Sequence, residues 1–276
     1  MQPASRAALA AARDKLESRI DSADVADLAR LGEDLGAVAA VLDAQPVIRR
    51  HLADSAVPQQ ARRKLLEALF DGKVSPLSLE VLGDVVASRW SRPRDLVDGV
   101  EELARQALLA QADRDGSLDD VEDELFRFGR ILVAQPQLAT LLGDETAPAA
   151  RRGELLETVL AGRAGPVTSR LLKQAVRLPR RRPLAELIEQ LVDRAAARRH
   201  RSVAYVTAAS PLSPEQEQRL TDALKAIYRR PMSLKIDVEP AVLGGLVIRV
   251  GDEVIDGSVS ARLDQARQWM TGGMSR

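Results

Sequence analysis

This chain carries an internal repeat. Displaced by 90 positions, residues 34–93 meet residues 124–183 without a gap, and 18 of the 60 aligned positions are identical. AQP at 44–46 falls on AQP at 134–136, Leu52 and Asp54 on Leu142 and Asp144, and Pro58 on Pro148. ARRKLLEALFDGK, from Ala61, lies on RRGELLETVLAGR, from Arg151. Pro76, Leu82, Val86, Arg92 and Pro93 meet Pro166, Leu172, Val176, Arg182 and Pro183. Identities at this density, in register over 60 positions, mark a duplicated unit, so the fold of one copy must be the fold of the other.

Within each copy apolar residues recur at steps of three and four, as in Leu35, Val38, Val41 and Leu42 or Leu65, Leu66, Leu69 and Phe70, the spacing of helices with one buried face. Strand signals are missing up to about residue 200. Pro58/Pro148 and Pro76/Pro166 suit the first turn of a helix, where the absent N–H costs nothing, and Gly72/Gly162 suit a C-terminal cap. Two similar antiparallel helical bundles are expected in tandem. SRAALAAA, from Ser5, also resembles ARQALLAQA, from Ala104, at an offset near 99, so copy one carries about nine extra residues in its next connector, as loop or helix extension.

The joint between the copies follows from the same arithmetic. Leu96, Val97, Val100 and Ala104 answer to Leu187, Ile188, Leu191 and Ala195 after a one-residue shift, while Ala104–Ala112 also matches the first helix of a copy. One helix, about 95–112, is therefore expected to end the first bundle and begin the second, with only Gly99 to weaken it. The domains expected are 1–100, 101–200 and 201–276.

After His200 the period changes from 3.6 to 2. SVAYVTAA, SLKIDVEP, LVIRV and EVI read as strands, the last two joined by Gly251-Asp252, a tight hairpin link. SPEQ at 213–216 is a capping box with Pro214 in the first turn, opening a helix through EQEQRLTDALKAIYRR. A last helix is expected from about Ser258 to Met270. The fold class is α+β: two helical bundles, then a small domain of about four strands and two helices.

Composition narrows the chemistry. Forty basic residues balance forty acidic ones and aromatics are 3%, which offers neither the electrostatic footprint nor the stacking platform of a nucleic-acid binder. Cysteine is absent, a fit to a reducing cytoplasmic setting, and only His51 and His200 are imidazoles; His51 meets Leu141 in the other copy. No window approaches 18 apolar residues, and Asp14 and Glu17 stand where a signal or transit peptide avoids acids.

Residues 244–266, GGLVIRVGDEVIDGSVSARLDQA, hold four glycines but no phosphate-binding GxxxxGK[ST], and the glycines flank strands. Gly244-Gly245 suit a bulge or close approach, and 256–258 a turn launching the last helix. QADRDGSLDDVE at 111–122 approaches a calcium-loop pattern, with Gln111 in place of the first carboxylate; a solvated acidic turn capping the next helix explains the same residues. The arginines at 177–182 and 198–201 read as solvated charge or as a dock for an acidic segment. No nucleophile, base and carboxylate constellation can be assembled, and no cofactor or metal is implied.

The span from about Glu101 to Met270 resembles the delta subunit of bacterial F-type ATP synthase, the relative of the mitochondrial oligomycin-sensitivity-conferring protein. LGGLVIRVGDEVIDGSVSARL is similar to that family's C-terminal signature, and ARQALLAQA…LDDVEDEL to its first helices, with alanine and leucine in place of the usual tyrosine and phenylalanine. Residues 1–100 resemble the second helical copy of the longer delta subunits of some high-GC bacteria.

The resemblance implies a non-catalytic stator part, one per complex, on the cytoplasmic face of the plasma membrane. Its helical domain would hold N-terminal segments of alpha subunits and its C-terminal domain the end of the peripheral-stalk b subunit. An apolar groove on a helical bundle is a natural receptor for an amphipathic helix. The groove is expected at Ala107, Leu108, Leu171, Leu172 and Val176, and the stalk dock at Leu246, Ile248, Val254, Ile255 and Leu263. The rival readings are a helical-repeat adaptor for other partners and a nucleotide-using transferase built on the C-terminal domain.

Overall fold

A computed structural model describes residues 1–179, 183–228, 232–239, 244–251 and 253–257. The fold is α+β: twelve helices and four strands among the described residues. The chain divides into two compact units, Met1–Ala195 and Ala196–Arg276, so both repeat copies lie in one unit.

Copy one supplies α1 (Pro3–Ile20), α2 (Val25–Ala44), α3 (Pro46–Ala53), α4 (Gln59–Phe70) and α5 (Pro76–Ala87). Then α6 (Pro93–Asp115) runs without a break through the joint, and copy two continues with α7 (Leu118–Ala134), α8 (Pro136–Gly143), α9 (Ala149–Leu160), α10 (Pro166–Arg177) and α11 (Leu184–Ser202). Leu96, Val97, Val100 and Ala104 of α6 and Leu187, Ile188, Leu191 and Ala195 of α11 are all buried, so the two helices present the same positions to their cores.

The nine extra residues of copy one went mainly into helix. Counted from the matched Ser5 and Ala104, α1 is a turn longer than the corresponding part of α6, α2 gains three residues over α7, and the links differ by two.

The shared sequence carries shared devices. Arg62 on α4 donates to the Val86 and Ser88 carbonyls at the end of α5, and Arg152 on α9 donates to the Val176 carbonyl at 2.6 Å at the end of α10. Each buried guanidinium thereby occupies helix carbonyls that would otherwise lack donors, at the end where the dipole favours a cation. The opposite helix end is treated in kind. Asp34 on α2 accepts from Ser75 N–H ahead of α5 and from Ser78 Oγ in its first turn, and Glu124 on α7 accepts from Gly165 N–H ahead of α10. Gly72 and Gly162 both have φ near +70°, as a left-handed helix exit requires. Pro76 and Pro166 sit in first turns as expected, but Pro58 and Pro148 occupy N-cap positions with extended ψ, one residue ahead of the helix.

Few of α6's side chains reach solvent: seventeen of its 23 residues are buried. Around residues 107–112 it serves two cores at once, with Ala107 and Ala110 in the first and Leu108, Leu109 and Ala112 in the second. Its polar groups are tied to α1 along its length. Ser5 Oγ donates to Asp95 at 2.7 Å, Arg13 to Glu102 at 2.8 Å, and Arg114 to the Ile20 and Ala23 carbonyls where α1 ends. Gly99 has its own reason: a Cβ there would come within 2.4 Å of the Trp90 indole, whose Nε1 donates to the Val85 carbonyl.

In the second unit β1 (Val203–Ala208) lies between β2 (Ser233–Val238), parallel to it, and β3 (Leu246–Val250), antiparallel; β3 continues the order to β4 (Glu253–Asp256). A parallel neighbour demands a crossover, and α12 (Pro214–Tyr228) lies in that connection. Ala204, Val206 and Ala208 of β1 are the buried alternate residues, and the first two share a core with Leu224, Ile248 and Val250. On the odd residues Tyr205 takes Lys235 and Arg249 against its ring at 5.6 and 5.1 Å. The capping box forms in both directions, Ser213 Oγ accepting from Gln216 N–H and Gln216 Oε1 from Ser213 N–H. Val250 and Glu253 close the hairpin, with Gly251 at φ +58°. The helix expected over 258–270 lies outside the described residues.

A proline inside a helix costs about 3 kcal/mol or more. Leu103→Pro, in the fully buried middle of α6, is expected to loosen both copies: hydrogen exchange should accelerate at Leu35 in α2 and at Leu172 in α10. Acceleration confined to one copy would show that the joint is not shared mechanically.

Candidate partner-binding surfaces

The residues expected to form an amphipathic-helix groove are interior. Ala107, Leu108, Leu171 and Leu172 are 0% exposed and Val176 is 1% exposed. Ala107 turns into the core of copy one, and the other four join the core of copy two.

Helix α2 of copy one closes this region. Gly32 lies so near Leu108 that a Cβ there would stand 2.6 Å from its side chain, and a Cβ at Gly36 would meet the Gln174 amide at the same distance. Gln174 Nε2 donates to the Gly32 carbonyl at 3.0 Å, and Arg170 pairs with Glu33 at 2.7 Å. Two glycines one turn apart on α2 thus let it settle beside α10 and over α6. Between α2 and α10 there remains an open cleft of about 350 Å³, lined by Glu33, Gly36, Arg170, Lys173 and Gln174.

A second link between the copies is electrostatic. Glu102, on α6, accepts from Arg13 on α1 and from Arg194 on α11, the latter through both carboxylate oxygens at 3.0 and 2.9 Å. Burial alone would push this carboxyl up, but the Arg194 hydrogen bond and the charges of Arg194, Arg13 and Arg105 outweigh it and hold the group below its ordinary value. On the α1–α5 face of copy one, Asp84 collects Lys15, Arg19 and Arg63, and its carboxyl is likewise held low against the opposing effect of burial.

The calcium pattern at 111–122 does not form a metal loop. Gln111 and Asp113 are inside α6 and buried, Gln111 Oε1 accepts from Arg170, and the link between α6 and α7 is only Gly116, at φ +81°, and Ser117. Among the described residues no group of three or more His, Cys, Asp or Glu is placed to hold a metal.

Of the expected stalk-dock residues, Val254 and Ile255 stand 59% and 36% exposed on β4, an outermost strand among the described residues, Leu246 is half-buried and Ile248 is in the core. Leu263 lies outside the described residues. Sequence reasoning missed an exposed apolar face on α7, where Phe126 is 57% and Val133 71% exposed. Its signal was present in the repeat, because Phe126 aligns with Gly36.

The architecture defines the class first: duplicated helical bundles fused through one helix, with a small α+β unit, presenting packed-helix surfaces and a sheet edge. Residues 103–270 match the family ATP synthase delta (OSCP) subunit. The chain is 48% identical over 272 residues to ATP synthase subunit delta of Streptomyces griseus, covering 99% of this chain and 100% of that one. It is 49% identical to the Streptomyces avermitilis subunit, covering 97% of each, and 45% identical to that of Parafrankia sp., covering 98% and 100%. The chain therefore belongs to the ATP synthase delta (OSCP) subunit family, in a long form whose first copy precedes the span that the family description matches.

Glu102 fixes the sign of a pH effect. A carboxyl held low in the folded state contributes stability above its unfolded value, near 4.3, and that contribution fades as pH falls through the folded value. Glu102→Gln is expected to lose about 1–3 kcal/mol at neutral pH, discounted for the partial exposure of Arg13 and Arg194. Denaturant unfolding should show the gap to wild type narrowing below about pH 4. A gap that is constant from pH 7 to pH 3 would mean that the charge of Glu102 is not what joins α1, α6 and α11.

Proposed function

We propose that this chain is a peripheral-stalk subunit of an F-type ATP synthase, joining the catalytic headpiece to the b-subunit stalk so that rotation is coupled to ATP synthesis. The observation that carries this reading is the resemblance to delta subunits along the whole chain, the added helical copy and the C-terminal unit included. The helical unit holds amphipathic N-terminal segments of alpha subunits. The α+β unit holds the end of b, for which β4, an outermost strand among the described residues, offers backbone groups and the exposed side chains of Val254 and Ile255.

The role is mechanical and non-catalytic, with one copy per complex on the cytoplasmic face of the plasma membrane. Among the described residues no helix is long and apolar enough to cross a membrane, so attachment through b and the headpiece is the route this reading requires.

Reconstitution tests it. Membranes depleted of this chain should keep ATP hydrolysis by the headpiece but lose ATP-driven proton pumping, and adding back the full chain should restore pumping. The purified chain itself should hydrolyse no ATP. Pumping that is unaffected by depletion would remove the stator reading, and co-purification with unrelated proteins in place of alpha and b would favour an adaptor.

A further inference from the structure

Helix α1 is attached to copy one differently from the helix that matches it in copy two. Its buried face is Ser5, Ala8, Leu9, Ala12, Leu16 and Ile20, so ahead of Leu16 its one large buried residue is Leu9. At the repeat offset of 99, exposed Ala10 stands where copy two has buried Leu109, and Arg13 where it has buried Ala112. Copy one thus uses charge at a place where copy two uses apolar packing. Helix α2, by contrast, buries Leu28, Leu31, Leu35, Val38 and Leu42.

The charges of α1 cross to two other helices. Arg13 reaches Glu102 on α6 at 2.8 Å, Lys15 and Arg19 reach Asp84 on α5 at 3.0 and 2.6 Å, and Arg19 also lies 3.6 Å from Glu80. The carboxylates of Asp84 and Glu102 are nearly buried, whereas the Arg13 and Lys15 side chains are 40% and 56% exposed. Ser5 adds a hydroxyl clasp at the start, donating to Asp95 and accepting from Ser91 N–H. Arg114 holds the far end of the helix through the Ile20 and Ala23 carbonyls.

Beneath α1 the packing is incomplete. A cavity of about 170 Å³ lies between α1, α6 and α11, and its lining includes Leu9, Arg13, Glu101, Glu102, Arg105 and Arg194. Arg13 Nε is buried with no acceptor among the described residues. Lifting α1 admits water to these groups and exposes less apolar surface than any displacement of α2.

We propose that α1 is a charge-latched lid, which lifts from α5 and α6 over this cavity while α2, α6 and α10 stay packed. Arg13, Lys15 and Arg19 are the latch, and the end held by Arg114 is the hinge. Salt weakens such a latch because its cations are partly exposed and their pairs are screened, while the apolar contacts of α2 stay in place. Opening bares Glu102, Arg105 and Arg194, so copy one has a closed and an open form without the copies separating.

The chain has no cysteine, so one introduced thiol reports the opening. Ala12→Cys places it under α1 and Ala39→Cys in α2, at core sites 4% and 0% exposed. Thiol labelling of the folded full chain is followed as NaCl rises from about 0.1 M to about 1 M, over which the screening length falls from about 10 to about 3 Å. Ala12→Cys should label, and about tenfold faster at the higher salt, with Ala39→Cys protected at both. Adding Arg13→Gln/Lys15→Gln/Arg19→Gln should give the fast rate at the lower salt and remove the salt dependence. Arg6→Gln, which removes a donor to the Met1 carbonyl on the same helix, should change nothing. The neutralised chain carrying Ala39→Cys separates lid opening from unfolding, since protection there shows that copy one remains folded. Ala12→Cys labelled as slowly as Ala39→Cys at both salts, a rate that neither salt nor neutralisation changes, or Ala39→Cys labelled together with Ala12→Cys overturns the lid.

Discussion

The structure of the helical unit depends on the burial of one helix. Helix α6 has more than two-thirds of its residues out of solvent, and near residue 108 its successive side chains belong to different cores. A helix in that position cannot leave either bundle without exposing apolar surface in both. Its charged groups add direction to this: Asp95, Glu102 and Arg114 tie it to the start, middle and end of α1, and Glu102 also reaches α11. Duplication followed by fusion through a shared helix thus produces a stiff element from parts that separately resemble small, marginal bundles.

The two copies are alike where a helix end must be satisfied and unlike where they touch. Arg62 and Arg152, and Asp34 and Glu124, perform the same service on α5 and α10 because a buried helix end needs a donor or an acceptor regardless of its surroundings. Gly32 and Gly36 have no small counterpart in copy two, since only copy one has to approach α6 and α10 closely. The divergence between copies therefore maps the seam, and the exposed Phe126 marks where the seam stops.

Much of this was legible beforehand, for physical reasons that differ by element. A helix over about 95–112 was expected because no proline falls inside that span and its residues match both the end of one copy and the start of the next; α6 spans Pro93–Asp115, with its proline in the first turn. The hairpin at Gly251 and the capping box at Ser213 follow from local chemistry that acts within four residues. The groove residues were less accessible to reasoning of this kind. Leu171 or Val176 on an apolar stripe signals burial but does not say whether a partner or the chain itself covers it, and here they lie in the chain's own core. Proline at 58 and 148 was displaced by one position because both N-cap and first turn accept a residue without an N–H.

A stator has to transmit torque without yielding, and the central claim is that both copies open only together. Native-state hydrogen exchange of the full chain under rising denaturant tests this directly. Amides of Leu35 and Val38 in α2, Leu103 in α6, and Leu171 and Leu172 in α10 should converge on a single opening free energy with the same denaturant dependence. Separate isotherms for α2 and α10, with α6 dividing near residue 103, would contradict it.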